Sequence, residues 1–290
     1  MEGLKKIILD AGYEFALLEK YTDKADLIKA VADVDAIIFR SDKITREVIE
    51  AAPNLKIAIR AGAGYDNIDR EAATEKGVVV MNTPGQNSNA VAELVLSMMV
   101  YLARNLFNGK PGTELRGKTL GIHAYGNVGR MVARIAKGFE MDVYAFDPFV
   151  DKAAIEADGV KVLDSEAELY KTCQYISLHI PATEKTINSI NFELLSSMPK
   201  NGVLINTARK EVIDEEGLLK TFAEREDFGY ISDIAPGCKD EISEKYEGRF
   251  FFTPKKMGAQ TAEANINAGL AAATQIVNFI EKGDRTFQVN

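Results

Sequence analysis

Short apolar runs rich in β-branched residues alternate with stretches of helical spacing along the whole chain. The runs at 7–9, 36–39, 55–59 and 78–80 are apolar almost throughout rather than on alternate positions, the pattern of strands covered on both faces. Helical patterns lie between them, for example at 45–52 and 69–76. Asp69 can cap the second of these and Gly77 can end it. Strands interleaved with helices at this spacing predict βαβ units and parallel sheet. Residues 89–104 read as one long apolar helix with no strand beside it, a candidate connector between domains, and 108–112 is a turn-rich break. A second βα series follows. Strands are predicted at 119–123, 142–146, 175–179, 203–206, 229–233 and 250–253, with helices such as 128–139 and 214–225 between them and a last helix over 262–282. The expected class is α/β, with two doubly wound parallel-sheet domains.

Composition narrows the possible partners. The 290 residues are about twice the ~150-residue prior for one domain and can bury a core without a disulfide or metal staple. A net charge of −8 argues against nucleic acid and anionic membranes as partners. Cys173 and Cys238 are the only cysteines, too few for a disulfide framework. No signal peptide is visible, and the longest apolar stretch, 90–103, is interrupted by Glu93 and too short to span a bilayer. A cytoplasmic protein is expected. The His and Cys residues are too few and too scattered for a metal site, so none is expected.

The strand at 119–123 runs into Ala124-Tyr125-Gly126-Asn127-Val128-Gly129-Arg130 and then a helix. Dinucleotide-binding turns in this context read G-x-G-x-x-G, and here Ala124 stands at the first glycine, acceptable only if its φ is negative. Gly126 would let the backbone approach a pyrophosphate, and Gly129 would let the helix pack closely on the strand. The helix N-terminus favours an anion. Tyr125, Gly126, Asn127, Val128 and Gly129 are therefore cofactor-binding candidates. Asp147, about 18 residues beyond Gly129, ends the next strand, where an acid accepts from both ribose hydroxyls and repels a 2′-phosphate. The cofactor expected is NAD rather than NADP. The competing reading is a glycine turn that binds nothing.

Further strings accompany the glycine turn: Arg40-Ser41-x-Lys43-Ile44-Thr45, the run from Arg60 to Asp69, Asn82-Thr83-Pro84, Ala92-Glu93-Leu94, the run from Gly112 to Gly121, and Asn206-Thr207-Ala208-Arg209. With them the chain resembles the D-isomer-specific 2-hydroxyacid dehydrogenases over nearly its whole length, and most closely the short phosphoglycerate-oxidising members that carry a lysine in the site. The resemblance implies a flavodoxin-like substrate domain, 1–89 plus 262–290, with an NAD-binding Rossmann domain, 90–261, inserted into it. It also implies a homodimer formed through the NAD domain and the absence of a serine-binding regulatory domain.

By position, the resemblance implies that Arg209 binds the substrate carboxylate and C2 oxygen, a role suited to its fork of donors and fixed charge. Backbone amides of Ala61, Gly62, Ala63 and Gly64 would meet the same carboxylate. Arg40 and Arg60 match positions facing the substrate phosphate; without the resemblance they would read as solvated surface arginines. Asp233 matches the acid that holds the nicotinamide carboxamide, and His179, Pro181, Thr207, Ala208 and Gly258 belong to the nicotinamide pocket.

The acid–base pair departs from the family. Where a Thr-Pro-His stretch is expected, the chain reads Thr253-Pro254-Lys255-Lys256-Met257-Gly258, and Cys238 stands where the glutamate partner is expected. A lysine starts near ~10.4 and can accept a proton only as the neutral amine. Losing the carboxylate, gaining a cationic neighbour and being buried under nicotinamide all favour that form. Counting back from Gly258 makes Lys256 the histidine equivalent, and counting forward from Pro254 makes it Lys255; the gapless tail favours Lys256. The expected function is NAD-dependent oxidation of D-3-phosphoglycerate to 3-phosphohydroxypyruvate in serine biosynthesis, with a small-molecule substrate as partner. The alternatives are a dehydrogenase of another small D-2-hydroxyacid and an inactive NAD(H)-sensing protein whose two lysines are surface charges.

Overall fold

In the computed structural model, which describes residues 2–290, the chain opens with α1 (Glu2–Asp10), α2 (Lys24–Val31), β1 (Ala36–Phe39), α3 (Arg46–Glu50), β2 (Ile57–Arg60), α4 (Arg70–Glu75) and β3 (Val79–Asn82). It continues through α5 (Ser88–Ala103), β4 (Thr119–His123), α6 (Asn127–Gly138), β5 (Asp142–Phe146), α7 (Lys152–Ala157), β6 (Lys161–Val162) and α8 (Glu166–Thr172). Then come β7 (Tyr175–Leu178), α9 (Phe192–Ser197), β8 (Val203–Asn206), α10 (Glu215–Glu224), β9 (Gly229–Ser232), α11 (Lys239–Lys245), β10 (Phe250–Phe252) and α12 (Ala262–Lys282). Two units result, one of Met1–Asn87 with Thr261–Asn290 and one of Ser88–Gln260.

The first unit is built on a parallel sheet in the order β1-β2-β3. One face packs on α2, α3 and α4 through Val31, Val48, Ile49, Ala72 and Ala73, the other on α1 and α12 through Ile8, Ala268, Ala272 and Ile276. That two-sided burial is why these strands read as continuous apolar runs. Asp69 caps α4 by accepting from the Ala72 amide at 2.9 Å. The chain end closes the β3 edge, where the Val289 amide donates to Val80 O at 2.9 Å.

Residues 7–9 are not a strand, as their apolar character predicts, but the second half of α1. Ile8 is buried, Leu4 and Ile7 pack beside it, and Leu9 is 47% exposed. The apolar positions therefore follow helical spacing from Leu4, and a run this short has no period of its own to tell the two apart.

The second unit carries a seven-stranded parallel sheet in the order β10-β9-β8-β7-β4-β5-β6. The order reverses between β4 and β7, the switch point at whose carboxyl side open α/β sheets bind ligands. α5 belongs wholly to this unit and is no bare connector. Val95, Leu96, Met98 and Met99 pack with Leu120, Ile122, Val132, Ile205 and Ile231 in one cluster. The opposite face is covered by α8–α11 through residues such as Leu169, Leu195, Leu218 and Ile242. Among the described residues no helix is long and apolar enough to cross a membrane.

Candidate active site

Beyond the carboxyl end of β4 the chain turns sharply into α6. The turn needs a left-handed residue, and Ala124 supplies it at φ 79°, against the expectation of a negative φ. The Ala124 amide donates to Phe146 O at 3.0 Å, continuing the β4–β5 ladder, while its carbonyl faces α6. Ladder and helix together over-determine the turn, so alanine is held there at a cost of roughly 1–2 kcal/mol. Gly129 explains the tightness: a Cβ there would lie 2.5 Å from Ala124 O and 2.9 Å from Ile122 Cγ2.

Gly126 is the N-cap of α6 and makes no side-chain cap, and the space a Cβ would take is open. Asn127 is exposed and Val128 half-buried in the first turn. Asp147 brackets this loop from the end of β5. Its Oδ2 accepts the Tyr125 amide at 2.7 Å, and its Oδ1 accepts the amides of Phe149 and Val150 at 2.8 and 3.2 Å. The Tyr125 side chain points into the core, 1% exposed, with its hydroxyl on Asp158 at 3.1 Å. Any contact Tyr125 makes with a ligand is through its main chain.

His123 ends β4 and His179 follows β7, one on each side of the switch point. Burial lowers His123 to about 4. Its Nδ1 lies 3.4 Å from the Tyr170 hydroxyl. Loss of solvation, then His123, lowers His179 to about 3, and its Nε2 lies 3.0 Å from Ser177 Oγ. Both rings are neutral at pH 7 and too weak to serve as bases there. At the end of β8, Thr207 is buried and its hydroxyl has no partner among the described residues. Pro181 is exposed and Ala208 half-buried. An uncapped helix N-terminus with open space at Gly126, an acid at the next strand end and an unsatisfied hydroxyl fit a dinucleotide such as NAD.

Arg209 leaves β8 through a turn gripped by Asn206. The Asn206 side chain accepts the Ala208 amide at 2.9 Å and donates to Arg209 O at 2.9 Å. Arg209 is half-buried. Lys210 and Glu211 then open a short 3₁₀ turn over Lys210–Val212. After β9, Asp233 is 1% exposed. Its carboxylate accepts the Met257 amide at 2.7 Å, the Gly258 amide at 2.8 Å and the Thr253 hydroxyl at 3.0 Å. Lys255 and Lys256 are exposed in the loop so held. Cys238, where the glutamate is expected, is half-buried, and burial followed by Glu215 pushes its thiol up to about 11. Glu215 Oε1 also accepts the Gly237 amide, so a carboxylate does reach this corner, from α10.

In the first unit, Arg40 and Arg60 follow and end the neighbouring strands β1 and β2. Arg60 Nε donates to Arg40 O at 3.3 Å, and Asn67 Nδ2 donates to the same oxygen at 3.2 Å and to Asp42 O at 2.7 Å. The Arg60 guanidinium lies over Gly62, where a Cβ would be 1.5 Å from Nη1. The amides of Ala61 and Gly62 already donate to Phe39 O and Arg60 O. Those two amides are therefore committed to the protein's own main chain, against the expectation that they meet a carboxylate. Asn82 steadies the loop by donating to Ala63 O at 2.7 Å.

Asn67, Asn82, Asn206, Glu215 and Thr253 escape the sequence reading. Asn206 acts on main chain two and three residues on and the other four on main chain about twenty or more residues away, and only an asparagine beside a turn hints at such a role. Among the described residues no cluster of three or more His, Cys, Asp or Glu could hold a metal.

The family model described as "D-isomer specific 2-hydroxyacid dehydrogenase, NAD binding domain" matches residues 96–242. The D-3-phosphoglycerate dehydrogenase of Methanocaldococcus jannaschii is 38% identical over 272 residues, which is 87% of this chain and 51% of that protein. The hydroxypyruvate reductase of Thermotoga maritima is 37% identical over 282 residues, 91% of this chain and 90% of that one. Among solved structures, NAD⁺-bound 3-phosphoglycerate dehydrogenase from Entamoeba histolytica is 48% identical with a TM-score of 0.88, covering 100% of this chain and 93% of that chain. The chain spans about half the length of the curated phosphoglycerate dehydrogenases it matches.

Proposed function

Since this chain belongs to the D-isomer-specific 2-hydroxyacid dehydrogenases, an NAD-binding family of oxidoreductases, we propose that it oxidises D-3-phosphoglycerate to 3-phosphohydroxypyruvate, the entry to serine biosynthesis. The observation that carries the substrate assignment is the arginine pair at the ends of β1 and β2. Arg60 is laid over Gly62 and tied to Arg40 O, so one guanidinium is held beside the adjacent strand end that carries a second arginine, in an acidic protein. A phosphate dianion suits such a pair, because guanidinium forks meet its oxygens two at a time.

In this reading the substrate domain is the unit of Met1–Asn87 with Thr261–Asn290, and the NAD domain is Ser88–Gln260. Bound NAD supplies the hydride acceptor. The first-turn amides of α6 would take the pyrophosphate, Asp147 the adenosine ribose, and His179, Pro181, Thr207, Ala208 and Gly258 would line the nicotinamide. Arg209 holds the substrate carboxylate and stabilises the C2 oxygen as it becomes a carbonyl, and Ala63 and Gly64 add amide donors. Lys256 accepts the C2 hydroxyl proton as the neutral amine, with Lys255 the cation beside it. Both are exposed, so desolvation of the base comes from bound ligands rather than from its own loop. A homodimer through the NAD domain and a cytoplasmic location belong to the same proposal.

The test is NADH consumption with 3-phosphohydroxypyruvate, hydroxypyruvate and pyruvate in parallel. Turnover of the phosphorylated substrate at least 100-fold above the others is the expected result. Preference for hydroxypyruvate would move the assignment toward the activity named for the Thermotoga relative. NADH binding with no turnover of any would favour a sensing role.

A further inference from the structure

The loop bearing the two lysines is anchored at both ends by one buried acid. On the near side, the Thr253 hydroxyl sits 3.0 Å from Asp233 Oδ1 and 2.9 Å from Asp233 O, dividing its one proton between them. On the far side, the Met257 amide donates to Oδ1 and the Gly258 amide to Oδ2. Only Pro254, Lys255 and Lys256 lie between these anchors, and all three are exposed. Gly258 fits because it has no side chain: a Cβ would lie 3.0 Å from Asp233 Oδ2 and 3.3 Å from Val91 Cγ2. Thr253 itself continues the β9–β10 ladder, its amide donating to Ser232 O at 3.1 Å, so the near anchor rides on the sheet.

We propose that Asp233 is a positioning residue for the Lys255–Lys256 pair, fixing the loop through its main chain. This goes beyond contact with the nicotinamide carboxamide, and it rests on the reading of the lysines as the acid–base pair. The argument is one of geometry and chemistry. Lysine side chains are long and mobile, so aiming an amine depends on where its Cα is held. A loop this short between two fixed points leaves few backbone conformations, and a charged acceptor meeting amide donors makes the tether stronger than a neutral one. A glutamate reaching from outside would instead pair with the amine and hold it charged; Asp233 uses its carboxylate on the backbone.

Three full-length variants test this. Asp233→Asn keeps the shape but turns an N–H₂ group toward one of the loop donors. Gly258→Ala crowds Oδ2 without removing the charge, and Thr253→Val removes the near-side donor. In the unmodified chain the Met257 and Gly258 amides are expected to exchange with solvent at least 100-fold more slowly than that of Lys255, and Asp233→Asn is expected to remove most of that protection. In turnover, Asp233→Asn should lose at least 100-fold in kcat, the scale of a misplaced catalytic group. Substrate KM measured at saturating NADH should stay within about threefold, whatever NADH affinity is lost with the carboxamide contact, and a larger isotope effect should appear with C2-deuterated substrate. Gly258→Ala and Thr253→Val should show the same split in milder form, which keeps the test open if the first variant does not fold. The proposal is overturned if the Met257 and Gly258 amides exchange freely in the unmodified chain. It is equally overturned if Asp233→Asn keeps kcat at saturation while losing NADH affinity tenfold, which would make Asp233 a cofactor ligand alone. A chain that turns over no 2-hydroxyacid would sink the functional reading, while the exchange measurement would still decide the tether.

Discussion

Acid should destabilise this protein through its two histidines before most carboxylates matter. Burial holds His123 at about 4 in the folded chain, against an ordinary value of 6.5. The folded value lies below the unfolded one, so the stabilising contribution is complete above pH 6.5 and is lost as pH falls toward 4. In that window the unfolded chain binds a proton that the folded chain refuses, and stability drops by about 1.4 kcal/mol per pH unit for each such group. For His123 alone the loss reaches roughly 3 kcal/mol by pH 4, a large share of the ~5–15 kcal/mol that holds a typical domain together. His179, lowered to about 3, adds to the same slope. The assay is urea unfolding between about pH 7.5 and 4.5, followed by circular dichroism or tyrosine fluorescence, since the chain has no tryptophan. His123→Asn keeps a polar atom near Tyr170 but cannot titrate. Its stability should depend on pH less steeply than the parent's by about 1 kcal/mol per unit between pH 6 and 4.5. Equal slopes in parent and variant, or a His123 ring resonance titrating near 6.5, would refute the reasoning.

Other perturbations have equally definite outcomes. Ala124→Gly relieves the left-handed φ and should raise the unfolding free energy by about 0.5–1 kcal/mol, after the extra freedom glycine has when unfolded; a lower urea midpoint would show that the turn is not strained. Gly62→Ala must expel the Arg60 guanidinium, because the new Cβ would sit 1.5 Å from Nη1. It should therefore raise KM for the phosphorylated substrate tenfold or more and, because φ at Gly62 is 151° and disfavours any side chain, weaken hydroxypyruvate as well, whereas Arg60→Ala should raise the first KM while changing the second little. Lys256→Ala should cost on the order of 10²–10⁴ in kcat and be partly restored by added small amines. Lys255→Ala should cost less than tenfold, and the reverse ranking would exchange their roles.

Much of the architecture was legible in the chain because its signals are local. A strand buried on both faces is mostly apolar, and β4, β5, β7, β8 and β9 each show such a run within a residue of where it lies, broken only by polar residues such as Ser177, Asn206 and Ser232 or at the strand ends. The turn from β4 to α6 and the acid at 147 are likewise read from adjacent residues. Residues 7–9 mislead for the same reason in reverse, since three apolar residues carry no period and packing against α12 goes with a helix there.

What the sequence alone determined is the alternation of strand and helix, the glycine turn, and the residue types available for chemistry. The tertiary structure alone decided their conformation and their neighbours. Ala124 is left-handed because a strand ladder on one side and α6 on the other leave no other path, not because alanine prefers it. Asp233 reaches a loop some twenty residues away because β9 and β10 lie side by side, and Glu215 reaches Gly237 because α10 begins beside that corner. Arg60 rests on Gly62 because that glycine has nothing to fill the space. The Asp233 and Glu215 contacts join positions whose identities, taken singly, carry no mark of the partner, so only the folded chain brings them together; Arg60 and Gly62 are near neighbours in sequence, and there the fold decides only which way the side chain lies.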